Sequence, residues 1–221
     1  PAGELRRMFT KPEGFDRSLW KQMAAELGLP GIHLPEAMGG QGFGFLELGI
    51  VLEEMGRALL PSPFFASSVL AVEAIRCVAS DEEQRGLLPG IATGEEIATL
   101  AWVEPGTGWD PEAVRITARP EGAAYLLDGT KQAVLSVDAA TQLVIAARLP
   151  GTSGAAGLTL LCVEAGAAGV RVVPEESIDL AQEDREIFAA LAREAQTMLE
   201  LDPEQIRAFQ AKWLDPAGGE P

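Results

Sequence analysis

The sequence predicts a multidomain α+β chain: an all-α N-terminal region, then an antiparallel β barrel or sandwich, then short helices at the C-terminal end. Three observations predict this order. Apolar residues recur at helical spacing between capping signals up to about residue 95. From residue 97 to 173 the apolar stretches become short, branched and bounded by hairpin-type turns. Helical spacing returns after Asp179. The domain limits that follow are 1–95, 96–180 and 181–221.

The first helix is expected from Asp16 to Leu29. Asp16 can cap it, and Leu19, Trp20, Met23, Ala24 and Leu27 share one face. Gly28 and Pro30 stop it. A glycine-rich loop from Pro35 to Gly44 leads to a second helix, Phe45 to Leu59, which Pro61 and Pro63 end. Phe65 to Ala79 is a largely apolar third helix. Ser80 followed three residues later by Glu83 is a capping box, opening a short helix towards Leu88.

Strands are expected at Ile97–Trp102, Ala113–Ala118, Ala124–Leu127, Val134–Val137, Gln142–Ala147, Gly157–Val163 and Val170–Val173. The hairpin turn signals are Arg119-Pro120-Glu121-Gly122 and Asp128-Gly129. Strands at this spacing suit an antiparallel barrel or sandwich. Beyond them, Glu183–Leu201 carries Ile187, Phe188, Leu191, Ala195, Met198 and Leu199 on one helical face. Pro203 opens a last helix with Ile206, Phe209, Trp213 and Leu214.

The net charge is −16, with 33 acidic against 17 basic residues. That balance disfavours nucleic acid and anionic membrane surfaces as partners. It permits a nucleotide ligand, which helix N-termini and loop amides can hold locally. No apolar run is long enough to span a bilayer. Cys77 and Cys162 stand far apart in apolar contexts, so buried free thiols and a reducing cytoplasm are expected. No metal spacing, Ser-His-Asp set or phosphate-binding P-loop is present. His33, the one histidine, sits between Ile32 and Leu34 and reads as a packing residue.

The most distinctive segments are Leu27-Gly-Leu-Pro-Gly-Ile-His-Leu-Pro-Glu-Ala-Met-Gly-Gly40, whose glycine-rich loop reads as structural, Glu53-Glu54-Met55-Gly56-Arg57, and Glu104-Pro105-Gly106-Thr107-Gly108-Trp109-Asp110. In this order they resemble the N-terminal half of flavin-dependent acyl-CoA dehydrogenases, over about residues 15 to 178. The resemblance implies a helical domain packed on a middle β-domain, with FAD between the middle domain and a C-terminal helical domain. It also implies oligomers, an acyl-CoA substrate and α,β-desaturation. In that reaction a carboxylate base removes the α-proton and flavin N5 accepts hydride from the β-carbon.

The family pattern Thr-Glu-Pro-x-x-Gly-Ser-Asp is met by Glu104, Pro105, Gly108 and Asp110. Glu104, Pro105, Gly106 and Gly108 are therefore the cofactor-binding candidates. Val103 stands where the pattern has Thr, and Trp109 where it has Ser. A further family segment, Asn-Gly-x-Lys-x-Trp-Ile-Thr, aligns with Asp128-Gly129-Thr130-Lys131-Gln132-Ala133-Val134-Leu135. Gly129 and Lys131 match, whereas Ala133 and Leu135 replace the aromatic and hydroxyl residues. All four departures exchange cofactor-contacting types for others while keeping the turns.

No catalytic residue is assigned, because the family's base lies in a C-terminal domain that this sequence does not match. Glu186, Glu194 and Glu200 read as a solvated helix face. The expected function is an acyl-CoA dehydrogenase-like subunit that is not catalytic alone and assembles with copies of itself or another dehydrogenase chain. The alternative is a non-enzymatic scaffold that stabilises a catalytic partner.

Overall fold

A computed structural model describes residues 14–122, 124–154 and 156–173. The expected helices Glu183–Leu201 and 203–214, the domain 181–221, and Glu186, Glu194 and Glu200 lie outside the described residues. The described residues fall into two compact units, 14–42 with 61–173, and 43–60.

In the first unit, helix α1 spans Arg17–Leu27. The Asp16 carboxylate accepts from the N–H groups of Ser18 (2.8 Å) and Leu19 (3.2 Å), satisfying two donors of the first turn. Gly28, at φ +59°, closes the helix in the left-handed region. Trp20 is buried and its Nε1 donates to the Gly94 carbonyl at 2.9 Å.

The loop after α1 folds back on itself. The Gly42 N–H donates to the Leu34 carbonyl at 2.8 Å and that of Gln41 to the Gly31 carbonyl at 3.0 Å. A Cβ at Gly40 would lie 2.1 Å from the Leu34 carbonyl oxygen, so only glycine fits there. The glycine-rich segment thus shapes a turn around the fully buried Leu34.

A continuous helical stretch follows Pro63. Its first part, Phe65–Ala71, has π-helical geometry, and helix α2 continues it over Val72–Val78. Sequence period alone does not separate the two parts. Ser67 lies fully buried in the π-helical part, and its hydroxyl accepts from the Ala98 N–H at 3.1 Å, joining helix to sheet. Helix α3 spans Asp81–Ala92 behind the expected Ser80–Glu83 capping box, in which the Ser80 N–H donates to the Glu83 carboxylate at 2.8 Å. It passes Leu88 and includes Pro89. Burial of Ile91 and Ala92 offsets the hydrogen bond that the proline removes.

Strands β1 (Ala98–Ala101), β4 (Gln142–Arg148) and β5 (Leu158–Glu164) form a sheet in the order β1-β4-β5. The sheet is mixed, which corrects the antiparallel expectation. β4 and β5 are antiparallel, but β1 runs parallel to β4. The chain reaches that pairing by a crossover through residues 102–141 rather than a hairpin. Strands β2 (Arg119–Glu121) and β3 (Ala124–Leu126) make a separate antiparallel hairpin, exposed throughout at its described positions.

Three expected strands are absent. Residues 113–118 follow a 3-10 turn, Pro111–Ala113, and pair only through an isolated bridge between Thr117 and Arg148. Residues 134–137 are mostly turn, because Ala133 and Ser136 adopt φ +51° and break any pleat. Residues 170–173 are unpaired coil. The cysteine expectation is also corrected, since Cys77 and Cys162 are both free and exposed.

One core runs through helices and sheet. Leu34, Val72, Ile75, Leu88 and Ile91 pack with Ala98 and Val144, all at or below 3% exposure. A smaller cluster, Ile116, Ala118 and Ala147, lies under the crossover.

In the second unit, helix α4 spans Phe45–Ala58. The Gly44 N–H donates to the Glu47 carboxylate at 2.8 Å, and Leu59 ends the helix at φ +49°. Leu48, Leu52 and Met55 are buried, and Arg57 pairs with Glu53 and Glu54 on the exposed face. Among the described residues no helix is long and apolar enough to cross a membrane.

Candidate functional site

The candidate loop leaves the end of β1 at Trp102 and runs to Asp110. Thr107 makes it turn: its hydroxyl accepts from the Glu104 N–H at 3.0 Å and donates to the Glu104 carbonyl at 2.8 Å. Gly106 sits at φ +75°, which a side chain would strain. Trp102 Nε1 donates to the Trp109 carbonyl at 3.1 Å, and the Asp110 carboxylate caps the following 3-10 turn through the Glu112 N–H at 2.9 Å. The loop is therefore pinned at both ends while Pro105, Gly106, Gly108 and Trp109 remain exposed. Among the described residues the N–H groups of Gly106 and Gly108 meet no acceptor, and a Cβ on either would stand in open space.

Glu104 turns the other way. It is 6% exposed, and its carboxylate accepts from the N–H groups of Arg115 (3.1 Å) and Ile116 (3.0 Å) and from Lys131 Nζ (2.9 Å). Lys131 also donates to the Trp102 carbonyl at 2.9 Å. Burial alone would raise the Glu104 carboxyl. The hydrogen bonds from Ile116, Lys131 and Arg115, with the Lys131 charge, hold it below its ordinary value of 4.5. Burial draws the Lys131 ammonium below its usual value, and Glu104 opposes that pull.

The segment Lys131–Leu135 lies alongside this loop. The Gln132 N–H donates to the Val103 carbonyl at 2.9 Å, and the Thr99 hydroxyl to the Leu135 carbonyl at 2.6 Å. The structure thus brings together the two sequence segments that carry the candidates. Val103 is buried, Ala133 and Trp109 are exposed, and Leu135 is half-buried. Outside this region, buried His33 bonds Glu73 at 2.9 Å, and Glu73 also accepts from Arg76 at 2.8 Å. Among the described residues no acidic, cysteine and histidine cluster is suited to a metal ion.

Sequence reasoning missed Arg115 and Ile116, because they act through backbone N–H groups that any residue type supplies. It saw Lys131 only as a motif match. Its neighbours Thr130 and Gln132 are polar, so nothing in the local sequence marks Lys131 as buried.

A dinucleotide such as FAD needs open backbone approach and N–H donors for its oxygens. The free amides of Gly106 and Gly108 meet that need, so the loop fits the group through its backbone. The side chains at positions 103, 109, 133 and 135 add no small hydroxyl donor.

Residues 4–95 match the family model of the acyl-CoA dehydrogenase N-terminal domain. Acryloyl-CoA reductase (NADH) of Anaerotignum propionicum is 34% identical over 166 residues, 74% of this chain and 42% of that protein. The ChsE4–ChsE5 complex of Mycobacterium tuberculosis superposes with TM-score 0.68 at 26% identity, over 90% of this chain and 58% of that one. An acyl-CoA dehydrogenase of Bacillus anthracis, solved with FAD, gives TM-score 0.68 at 29% identity, over 80% and 30%. In this chain the helices share one core with the mixed sheet and the glycine loop follows its first strand. Over its N-terminal and middle regions the chain belongs to the acyl-CoA dehydrogenase family. It spans about two fifths of the length of the curated relatives it matches.

Proposed function

We propose that this chain is an acyl-CoA dehydrogenase-like subunit of a flavin-dependent enzyme that α,β-desaturates acyl-CoA thioesters, working with a second dehydrogenase chain rather than alone. The observation that carries the reading is the juxtaposition of Val103–Asp110 and Lys131–Leu135 through the Gln132–Val103 hydrogen bond, with two glycine amides left open beside it. When bound, FAD supplies the hydride acceptor. In this reading Gly106 and Gly108 donate their N–H groups to it, Pro105 fixes the backbone before them, and Glu104 holds the loop from beneath. The complex reported for the ChsE4–ChsE5 neighbour supports a second chain as partner. The division into domains 1–95 and 96–180, with 181–221 beyond them, belongs to the same reading. So does a cytoplasmic location, which suits two free, exposed thiols.

The second reading is a scaffold without flavin chemistry. The observation favouring it is the set Val103, Trp109, Ala133 and Leu135, none of which offers a small hydroxyl. Co-expression with a full-length acyl-CoA dehydrogenase chain from the same source separates the two. The first predicts a co-purifying yellow complex whose flavin absorbance bleaches on adding acyl-CoA, and whose bleaching is lost when either chain is omitted. A colourless complex overturns it in favour of the scaffold, and failure to co-purify overturns both.

A further inference from the structure

We infer that Glu104 and Lys131 form a positioning pair that sets the conformation of the exposed Pro105–Trp109 loop, and through it the affinity for the dinucleotide. The inference rests on the flavin reading above for its ligand, but not for its geometry.

The pair joins three stretches of chain that are remote in sequence. Glu104 lies at the root of the loop, Arg115 and Ile116 lie beyond it, and Lys131 belongs to the neighbouring segment. Both side chains are buried, at 8% and 7% exposure, so water does not compete for their contacts. The Lys131 ammonium bridges the Glu104 carboxylate and the Trp102 carbonyl, so it braces the residues on both sides of Val103. The Val103 carbonyl then takes the Gln132 N–H, which follows Lys131 directly.

The loop itself has few internal ties. Thr107 contacts only the backbone of Glu104, and the amides of Gly106 and Gly108 are open among the described residues. Its conformation is therefore set by Glu104 at one end and by the Trp102–Trp109 and Asp110–Glu112 hydrogen bonds at the other. Removing either partner leaves a buried charge without its counter-ion, which costs far more than an exposed pair would. The first response is displacement of Glu104 and, with it, of the glycine amides. Glu104 and Lys131 act on the cofactor through the loop, so they are positioning residues, not catalytic ones.

The test uses the full chain and the variants Glu104→Gln, Lys131→Met and Lys131→Arg. Amide hydrogen exchange needs no cofactor and reads the loop directly. Lys131→Met is expected to speed exchange at the hydrogen-bonded amides of Glu104, Thr107, Arg115, Ile116 and Gln132 by about tenfold or more, while the amides of α1 and α3 keep their rates. Lys131→Arg, which keeps the charge and the donors, restores most of the protection, and Glu104→Gln gives a smaller local effect because it keeps an acceptor. FAD titration of the same proteins, each in complex with the second dehydrogenase chain, is expected to lose about tenfold in affinity with Lys131→Met.

Unchanged loop exchange in a folded Lys131→Met protein overturns the inference. Exchange rising equally across α1, α3 and the sheet also overturns it, since that marks a general stabiliser. If Lys131→Met does not fold, the comparison of Glu104→Gln with the parent decides by the same local readout. A co-purified parent complex that binds no FAD, while the chain shows the local exchange pattern, contradicts the flavin reading and leaves the loop-positioning role standing.

Discussion

At the scale of single residues, the structure puts its most constrained groups where a contact is short and a partner cannot move. Gly40 is one, with the Leu34 carbonyl directly over its α-carbon. Gly40→Ala should lower stability by about 2–4 kcal/mol in urea unfolding, as other overpacked backbone contacts do; a loss of a few tenths would mean the loop opens freely. Glu73 and Glu104 are the second case. Burial opposes ionisation of both. Glu73 is nonetheless held below 4.5 by His33 and Arg76, and Glu104 below 4.5 by Ile116, Lys131 and Arg115. A carboxyl whose folded value is depressed contributes stability above its unfolded value and loses it as pH falls through the folded one. The urea midpoint should therefore fall below pH 4.5, the ordinary value of both groups, and Glu104→Gln should flatten part of that fall. An unchanged slope in the variant would contradict the clamp.

At the scale of elements, the caps were legible and the pairings were not. Asp16, Gly28, Ser80 and Glu83 act within a few residues of themselves, so their chemistry is written locally. The short apolar runs of Gln142–Arg148 and Leu158–Glu164 were legible for the same reason. The parallel pairing of β1 with β4 depends on a crossover that no local spacing encodes. The stretch Val134–Val137 looks like a strand by composition, yet positive φ at Ala133 and Ser136 turns it into a bend beside the candidate loop. Of the site, the glycines and the turn could be read, since glycine reports backbone conformation. The inward aim of Glu104 could not, because two of its donors are backbone amides. Two element-level outcomes check this description. Ser80→Ala should cost about 1 kcal/mol, the usual worth of an N-cap. Ser67→Ala should cost about 1–3 kcal/mol by leaving the Ala98 N–H buried without its acceptor. Urea denaturation measures both, and a neutral Ser67→Ala would show that the helix–sheet link carries no weight.

At the scale of the whole molecule, the family membership and the altered side chains bear on different questions. The shared core of Leu34, Val72, Leu88, Ala98 and Val144 explains why the fold is kept although four contact positions differ from the family pattern. Those positions lie outside that core: Val103 is buried elsewhere, Leu135 is half-buried, and Trp109 and Ala133 are exposed. What the loop offers is backbone: two amides exposed on a turn that Thr107 and Glu104 hold in shape. The central claim is that these amides hold FAD in an assembly with a second dehydrogenase chain. Flavin content of the co-purified complex, measured as FAD released on denaturation, tests it most directly when compared with Gly108→Pro, which removes one of the two donors. The prediction is FAD in the parent complex and a marked loss in a Gly108→Pro complex that still assembles. A complex without flavin, or flavin content that Gly108→Pro leaves unchanged, would contradict it.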